Sequence, residues 1–197
     1  MKRLFSFFLL VGFLFISACS GSRSTTHNPR CLTCVGTSLG YQVSPSGDGF
    51  GISIIKNDDD GIQFAYAFAE SENQGTVAIT PDARETATVL LNYFGNENYT
   101  LTNQTSVWLS TDVFYALKRG ESVALGLGNG DSGLFSGGEV ERTNYDVLLP
   151  NGETLSVRAR RYTDEDKGYE LIVLDDNDNP LILKMSVAFD VALVSTQ

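Results

Sequence analysis

The feature that most constrains the fold is a strict alternation of large apolar residues over residues 62–68. Every second residue in this stretch is large and apolar: Ile62, Phe64, Tyr66 and Phe68. Successive side chains of an extended strand point to opposite faces, so this spacing places all four on one face. The stretch therefore predicts a β-strand that has one face against a hydrophobic core.

Short segments of the same kind recur through the second half of the chain, separated by turn-forming residues. The predicted strands cover residues 145–149, 154–160, 169–174, 181–187 and 189–194, with turns at 150–152, 164–168 and 175–180. Strands at this spacing are typical of antiparallel sandwiches and barrels. We therefore predict an all-β domain, mainly an antiparallel β-sandwich or barrel.

One short connecting helix is predicted after residue 109. Ser110 can cap its N-terminus, and Asp112 and Lys118 suit its positive and negative ends. Gly120 can adopt the left-handed conformation that ends a helix.

The segment 81–94 is ambiguous. Thr80, Pro81 and Asp82 have the order of an N-cap followed by a first helical turn. Residues 86–94 are rich in Val, Thr, Tyr and Phe, which favours a strand, and a turn at 96–98 would pair it with residues 99–109.

The N-terminus has the order of an export signal. Lys2 and Arg3 precede an apolar run over residues 4–16. A run of this length suits the apolar part of a signal peptide and is too short to span a bilayer comfortably as a helix.

The four residues at the end of this run and just after it, Ile16, Ser17, Ala18 and Cys19, resemble the lipobox of bacterial lipoproteins. The resemblance covers only the first 20 residues. It implies cleavage before Cys19, a diacylglycerol on the Cys19 thiol and an acylated amine. Ser20, where lipoproteins of the inner membrane often carry Asp, favours the outer membrane. An ordinary secretory signal cut after Ala18 is the alternative, but Ile16 is large for its −3 position.

This organisation predicts three segments: a signal peptide over 1–18, a lipidated N-terminus and flexible linker over 19–49, and a single β-rich domain over 50–197. The net charge of −10 argues against nucleic acid as a partner. We expect a location in the bacterial cell envelope, with the membrane as one partner and an envelope protein as another.

Cys31 and Cys34 are the remaining cysteines. Outside the cytoplasm a local disulfide between them is the default expectation. A redox-active pair, or a metal site with His27 as a further ligand, are the alternatives, but no helix that would hold such a redox pair is predicted after Cys34.

Two oxygen-rich turns suit calcium. One contains Asp58 and Asp60, and the other contains Asp175, Asn177 and Asn179. The second turn lacks the Gly and the bidentate Glu of an EF-hand loop. Ordinary turns are the simpler expectation, with weak calcium binding as the alternative.

No residue set predicts catalysis. Residues 128–133 match a dinucleotide-binding glycine pattern, but no helix is predicted to follow. The same loop resembles the serine-protease nucleophile segment, and the only histidine, His27, lies before the domain.

We therefore expect a non-catalytic binding or scaffolding module without a cofactor. The alternatives are a lipid or lipoprotein carrier with a hydrophobic cavity, a calcium-stabilised adhesion module, and a hydrolase that uses paired carboxylates.

Overall fold

The computed structural model describes residues 31–197. The predicted signal peptide, the lipidation site Cys19 and His27 lie outside the described residues. Within the described part, no helix is long and apolar enough to cross a membrane.

The described chain is mainly β-strand, as the alternating pattern predicts. Its strands are β1 (Ser38–Ser44), β2 (Gly49–Asp58), β3 (Gly61–Phe68), β4 (Gln74–Ile79), β5 (Tyr99–Leu101), β6 (Ser122–Gly128), β7 (Asp131–Leu148), β8 (Thr154–Asp164), β9 (Tyr169–Leu174), β10 (Ile182–Ser186) and β11 (Asp190–Thr196). Its helices are α1 (Pro81–Thr86) and α2 (Thr111–Lys118).

The strands form one continuous hydrogen-bonded order, β5-β4-β3-β2-β1-β11-β10-β9-β8-β7-β6. Neighbours are antiparallel, apart from β4 and β5, which are parallel. β11 pairs with β1 and β10, and Ser195 near its end also pairs with Leu148 of β7. The sheet folds on itself as a β-sandwich, which confirms the predicted fold class.

Two buried clusters hold the molecule together. The first lies between β1–β4 and the inward faces of β7–β11, and it contains Phe64, Trp108 and Leu183. The second lies under α2 and contains Phe114 and Leu171. Strand β9 is covered on both faces, because its consecutive residues belong to different clusters.

The linker predicted over residues 19–49 is wrong in its last part. Strand β1 occupies residues 38–44 and pairs with both β2 and β11. Its side chains alternate, with Leu39 and Tyr41 buried. The glycines and serines around them suggested a loop, but Gly40 fits because Ser195 of the next strand lies against it.

The strand predicted over residues 86–94 does not form as a hairpin partner of residues 99–109. Only β5 forms there, and residues 89 and 90 make single bridges to Gly126 and Thr105. The turn residues instead dock on β3, since the Tyr66 hydroxyl lies 2.9 and 2.7 Å from the carbonyl oxygens of Gly95 and Glu97.

The ends of α2 match the sequence prediction. The Ser110 hydroxyl accepts a hydrogen bond from the Val113 N–H at 3.4 Å. Gly120 follows the helix with a φ of 83°. Pro81 likewise begins α1, with Thr80 as its N-cap.

Candidate binding pocket

A cavity of about 370 Å³ lies between strands β1–β3 and the β10–β11 hairpin. Its walls come from the β1–β2 turn region, the end of β3, the β10–β11 hairpin, and the irregular residues 90–94 and 106–107. We call it the aromatic pocket. Its volume falls within the range of small-molecule sites, about 300–1,000 Å³.

The register of strands β1, β2 and β3 builds the aromatic wall of the pocket. Tyr41 faces Phe50 across the β1–β2 pair, and Phe50 faces Phe68 across the β2–β3 pair. Their ring centroids lie 5.0 and 5.3 Å apart, and the rings are stacked. Cross-strand pairs of this kind stabilise the sheet and leave one continuous apolar surface facing the pocket.

Residues 90–94 cover this surface from the opposite side. Leu91 donates its N–H to the Thr105 carbonyl at 2.8 Å, and the Ser106 hydroxyl donates to the Leu91 carbonyl at 3.2 Å. Phe94, buried at 6% exposure, packs on Phe50 with centroids 6.2 Å apart. The covering segment is therefore fixed by backbone hydrogen bonds and by one aromatic anchor.

Most polar groups of the pocket are already bonded within the protein. The Tyr41 hydroxyl donates to the Ile182 carbonyl at 3.0 Å, and burial raises the pKa of Tyr41. The Asn92 amide donates to the Leu127 carbonyl. Asp48, at the mouth, is the one residue with a formal charge among those lining the pocket. An apolar ligand thus meets hydrocarbon walls and a single acidic group.

The two oxygen-rich turns predicted to suit calcium lie side by side. Asn57 donates its amide to the Asn179 side-chain oxygen at 2.6 Å. Arg84 joins the turns, since its guanidinium donates to the carbonyl oxygens of Asp58 at 2.5 Å and Asp178 at 2.9 Å. A guanidinium therefore occupies the place between the turns.

Four of the five side chains proposed for calcium also have cationic partners. Lys56 lies 3.3 Å from Asp58 and 3.6 Å from Asp60. Lys118 donates to the Asn177 oxygen at 2.6 Å. Among residues 31–197 no group of three or more His, Cys, Asp or Glu could hold a metal ion. Calcium binding at these turns would require the cations to move.

Asp175 takes part in a buried ion network. Its carboxylate accepts from Arg160 at 2.6 Å and lies 3.4 Å from the Lys118 ammonium. Burial alone would raise the pKa of Asp175, but the hydrogen bond and charge of Arg160, together with Lys118, hold it below its usual value. This carboxylate is therefore a structural anion.

Cys31 and Cys34 form the predicted disulfide, with Cα atoms 5.5 Å apart. The Thr37 hydroxyl donates to the Cys31 carbonyl at 2.9 Å and ties this small loop to the start of β1. With both sulfurs in the bond, neither is a thiolate that could serve as a redox nucleophile or a zinc ligand.

The glycine-rich loop over residues 128–133 is a β-hairpin turn. Asn129 and Gly130 have φ values of 52° and 79°, the left-handed pair that a tight hairpin requires. Asp131 accepts from Lys167 at 2.9 Å and from Tyr169 at 3.0 Å, and these bonds lower its pKa. The histidine that the serine-protease resemblance requires is not among residues 31–197, because the only histidine of the sequence is His27.

No family model matches this chain, and no curated protein or solved structure is significantly similar to it.

The aromatic pocket was not predicted from the sequence. The alternation of aromatic residues was visible, but the pairing that stacks Tyr41, Phe50 and Phe68 depends on strand register.

Proposed function

We propose that this chain is a non-catalytic, lipid-anchored protein of the bacterial cell envelope that binds an apolar ligand in the aromatic pocket. The observation that carries the binding role is the cavity of about 370 Å³ lined by stacked aromatic rings. The anchor rests on the resemblance of residues 16–19 to a lipobox.

The character of the pocket supports binding rather than hydrolysis. Asp48 is the only carboxylate among the described residues that line it, so these residues do not form the pair of acids that glycoside hydrolysis uses. Its deep walls are hydrocarbon, with Phe50 and Met185 at 7% and 8% exposure. A preformed apolar cavity of this kind favours burial of a ligand's hydrocarbon surface.

The size of the pocket supports a single chain or a small ring system. If a methylene group takes about the 30 Å³ that a water molecule takes in the liquid, the cavity of about 370 Å³ has room for about twelve carbons. Each methylene buried contributes about 0.8 kcal/mol, enough for such a ligand to bind measurably. Among the alternatives considered from the sequence, this supports the carrier with a hydrophobic cavity.

The test is binding of a neutral ten-carbon alcohol, decanol, measured by titration calorimetry. Val191 and Val43 face each other across β11 and β1 and both line the pocket. We expect Val191→Trp and Val43→Trp to fill the cavity and abolish the heat of binding.

The matched control lies on the same strand. Val194→Trp on β11 changes a residue that is 42% exposed and does not line the pocket, so binding should be unchanged. The melting temperature of each variant is measured first. Equal binding by the wild type and both filled variants, each shown to be folded, would place the ligand elsewhere and overturn the proposal.

A further inference from the structure

The mouth of the aromatic pocket has a definite charge. Asp48 lines it, and among residues 31–197 no side chain forms a hydrogen bond or an ion pair with its carboxylate. The β3–β4 turn contributes Ser71 and Asn73 to the wall, and the residues that alternate with them, Glu70 and Glu72, are exposed on the same turn.

The described residues supply no positive charge to the wall of the pocket. No lysine or arginine of residues 31–197 is among those that line it. Lys184 is adjacent in sequence to the lining residue Met185, but its ammonium is bound to Glu170 at 3.0 Å. The whole chain carries a net charge of −10, which adds to the negative potential at the mouth.

An aromatic ring also stands at the entrance. Tyr93 lines the pocket and remains 64% exposed, so its ring is available to a head group that stays outside. The face of an aromatic ring attracts a cation. Asp48 and Tyr93 therefore both favour a positive group at the mouth.

From this geometry we infer that the ligand of the aromatic pocket is a single-chain amphiphile with a positively charged amine or ammonium head group, whose tail fills the cavity. The inference rests on the proposed function and specifies its ligand class. A fatty acid or another anionic amphiphile would place its head group against Asp48 and is disfavoured.

The experiment compares two amphiphiles of equal chain length, octyltrimethylammonium and octyl sulfate, by titration calorimetry below their micelle concentrations. Octanol is the neutral reference. We expect the ammonium compound to bind about tenfold more tightly than the sulfate at low salt. Attraction to an exposed carboxylate raises the affinity of the cation by up to a factor of about five, and repulsion lowers the affinity of the anion by a similar factor. The preference should shrink as added salt screens the mouth.

Asp48→Asn is the variant that tests the source of the preference. We expect it to bind the ammonium compound several-fold more weakly and the sulfate more tightly, with octanol unchanged. Asp146→Asn is the control, because Asp146 is an exposed acid on β7 that does not line the pocket.

The outcomes separate the two proposals. Failure of octanol to bind the wild type would overturn the apolar binding function itself. Binding of octanol without any preference for the ammonium compound, or a preference that survives both Asp48→Asn and high salt, would overturn the charge selectivity and leave the binding function standing.

Discussion

At the scale of single residues, Arg160 shows how one buried cation restricts its neighbours. It is 4% exposed on β8, a position at which the alternation of the strand alone suggests solvent. The C-terminal end of α2 covers this face, and Asp175 supplies the counter-charge to both Arg160 and Lys118. Removal of that carboxylate leaves a guanidinium buried without its partner.

We predict that Asp175→Asn lowers the free energy of unfolding by about 3 kcal/mol at pH 7, since loss of one member of a buried ion pair strands the other. Urea denaturation, followed by the fluorescence of Trp108, measures this. Asp178→Asn in the same turn is the control, because the Asp178 side chain is exposed, and we expect a change below about 0.5 kcal/mol.

The pH dependence of this pair has a definite sign. The pKa of Asp175 is lower in the folded protein than the usual value, about 3.9, of the unfolded chain. Its stabilising contribution is therefore complete above about pH 4 and is lost as the pH falls through the folded-state pKa. The stability difference between the wild type and Asp175→Asn should shrink on acidification below pH 4, and a constant difference would contradict this account.

At the scale of elements, α2 is the cover of the second core. Phe114 is fully buried at 0% exposure, while the next residue, Tyr115, is 36% exposed. We predict that Phe114→Ala lowers the free energy of unfolding by about 4 kcal/mol through lost burial and the cavity left behind. Tyr115→Ala should cost less than about 1 kcal/mol, and equal losses in the two variants would mean that the helix does not cover the core.

The elements also show what local sequence can predict. Strand β3 and the caps of α2 were predictable because their signals lie within the element, in the alternation of residues 62–68 and in Ser110 and Gly120. Strand β1 and the first half of β7 were missed because their glycines look like loop residues. Gly137 on β7 leaves no room for a side chain, because the backbone carbonyl of Leu117 in α2 lies against it. The requirement for glycine here therefore comes from a contact with another element.

At the scale of the whole molecule, the pocket was not predictable for the same reason. Its walls come from residues near 41–50, 68–73, 90–94 and 182–191, which meet only through the strand order. The disulfide was predictable because both cysteines lie in one short stretch outside the strands. A long-range site depends on register, and register follows from the burial of one face of each strand against the other layer.

The anchor proposed from residues 16–19 gives the last prediction. Two or more acyl chains, at about 0.8 kcal/mol for each buried methylene group, hold a protein stably on a membrane. We expect the protein isolated from membranes, analysed by mass spectrometry without reductant, to begin at a triacylated Cys19. The same spectrum should show the loss of two protons at Cys31 and Cys34 that their disulfide requires.

Two variants separate the anchor from the fold. Cys19→Ala should abolish lipidation, so that the mass spectrum shows no acyl chain on the protein, with the melting temperature of its folded domain unchanged. Replacement of both Cys31 and Cys34 by Ser should leave the protein on the membrane, because the disulfide lies in the folded domain. An unmodified Cys19 at the mature N-terminus would contradict the anchor. It would leave the aromatic pocket as a binding site of a freely diffusing protein.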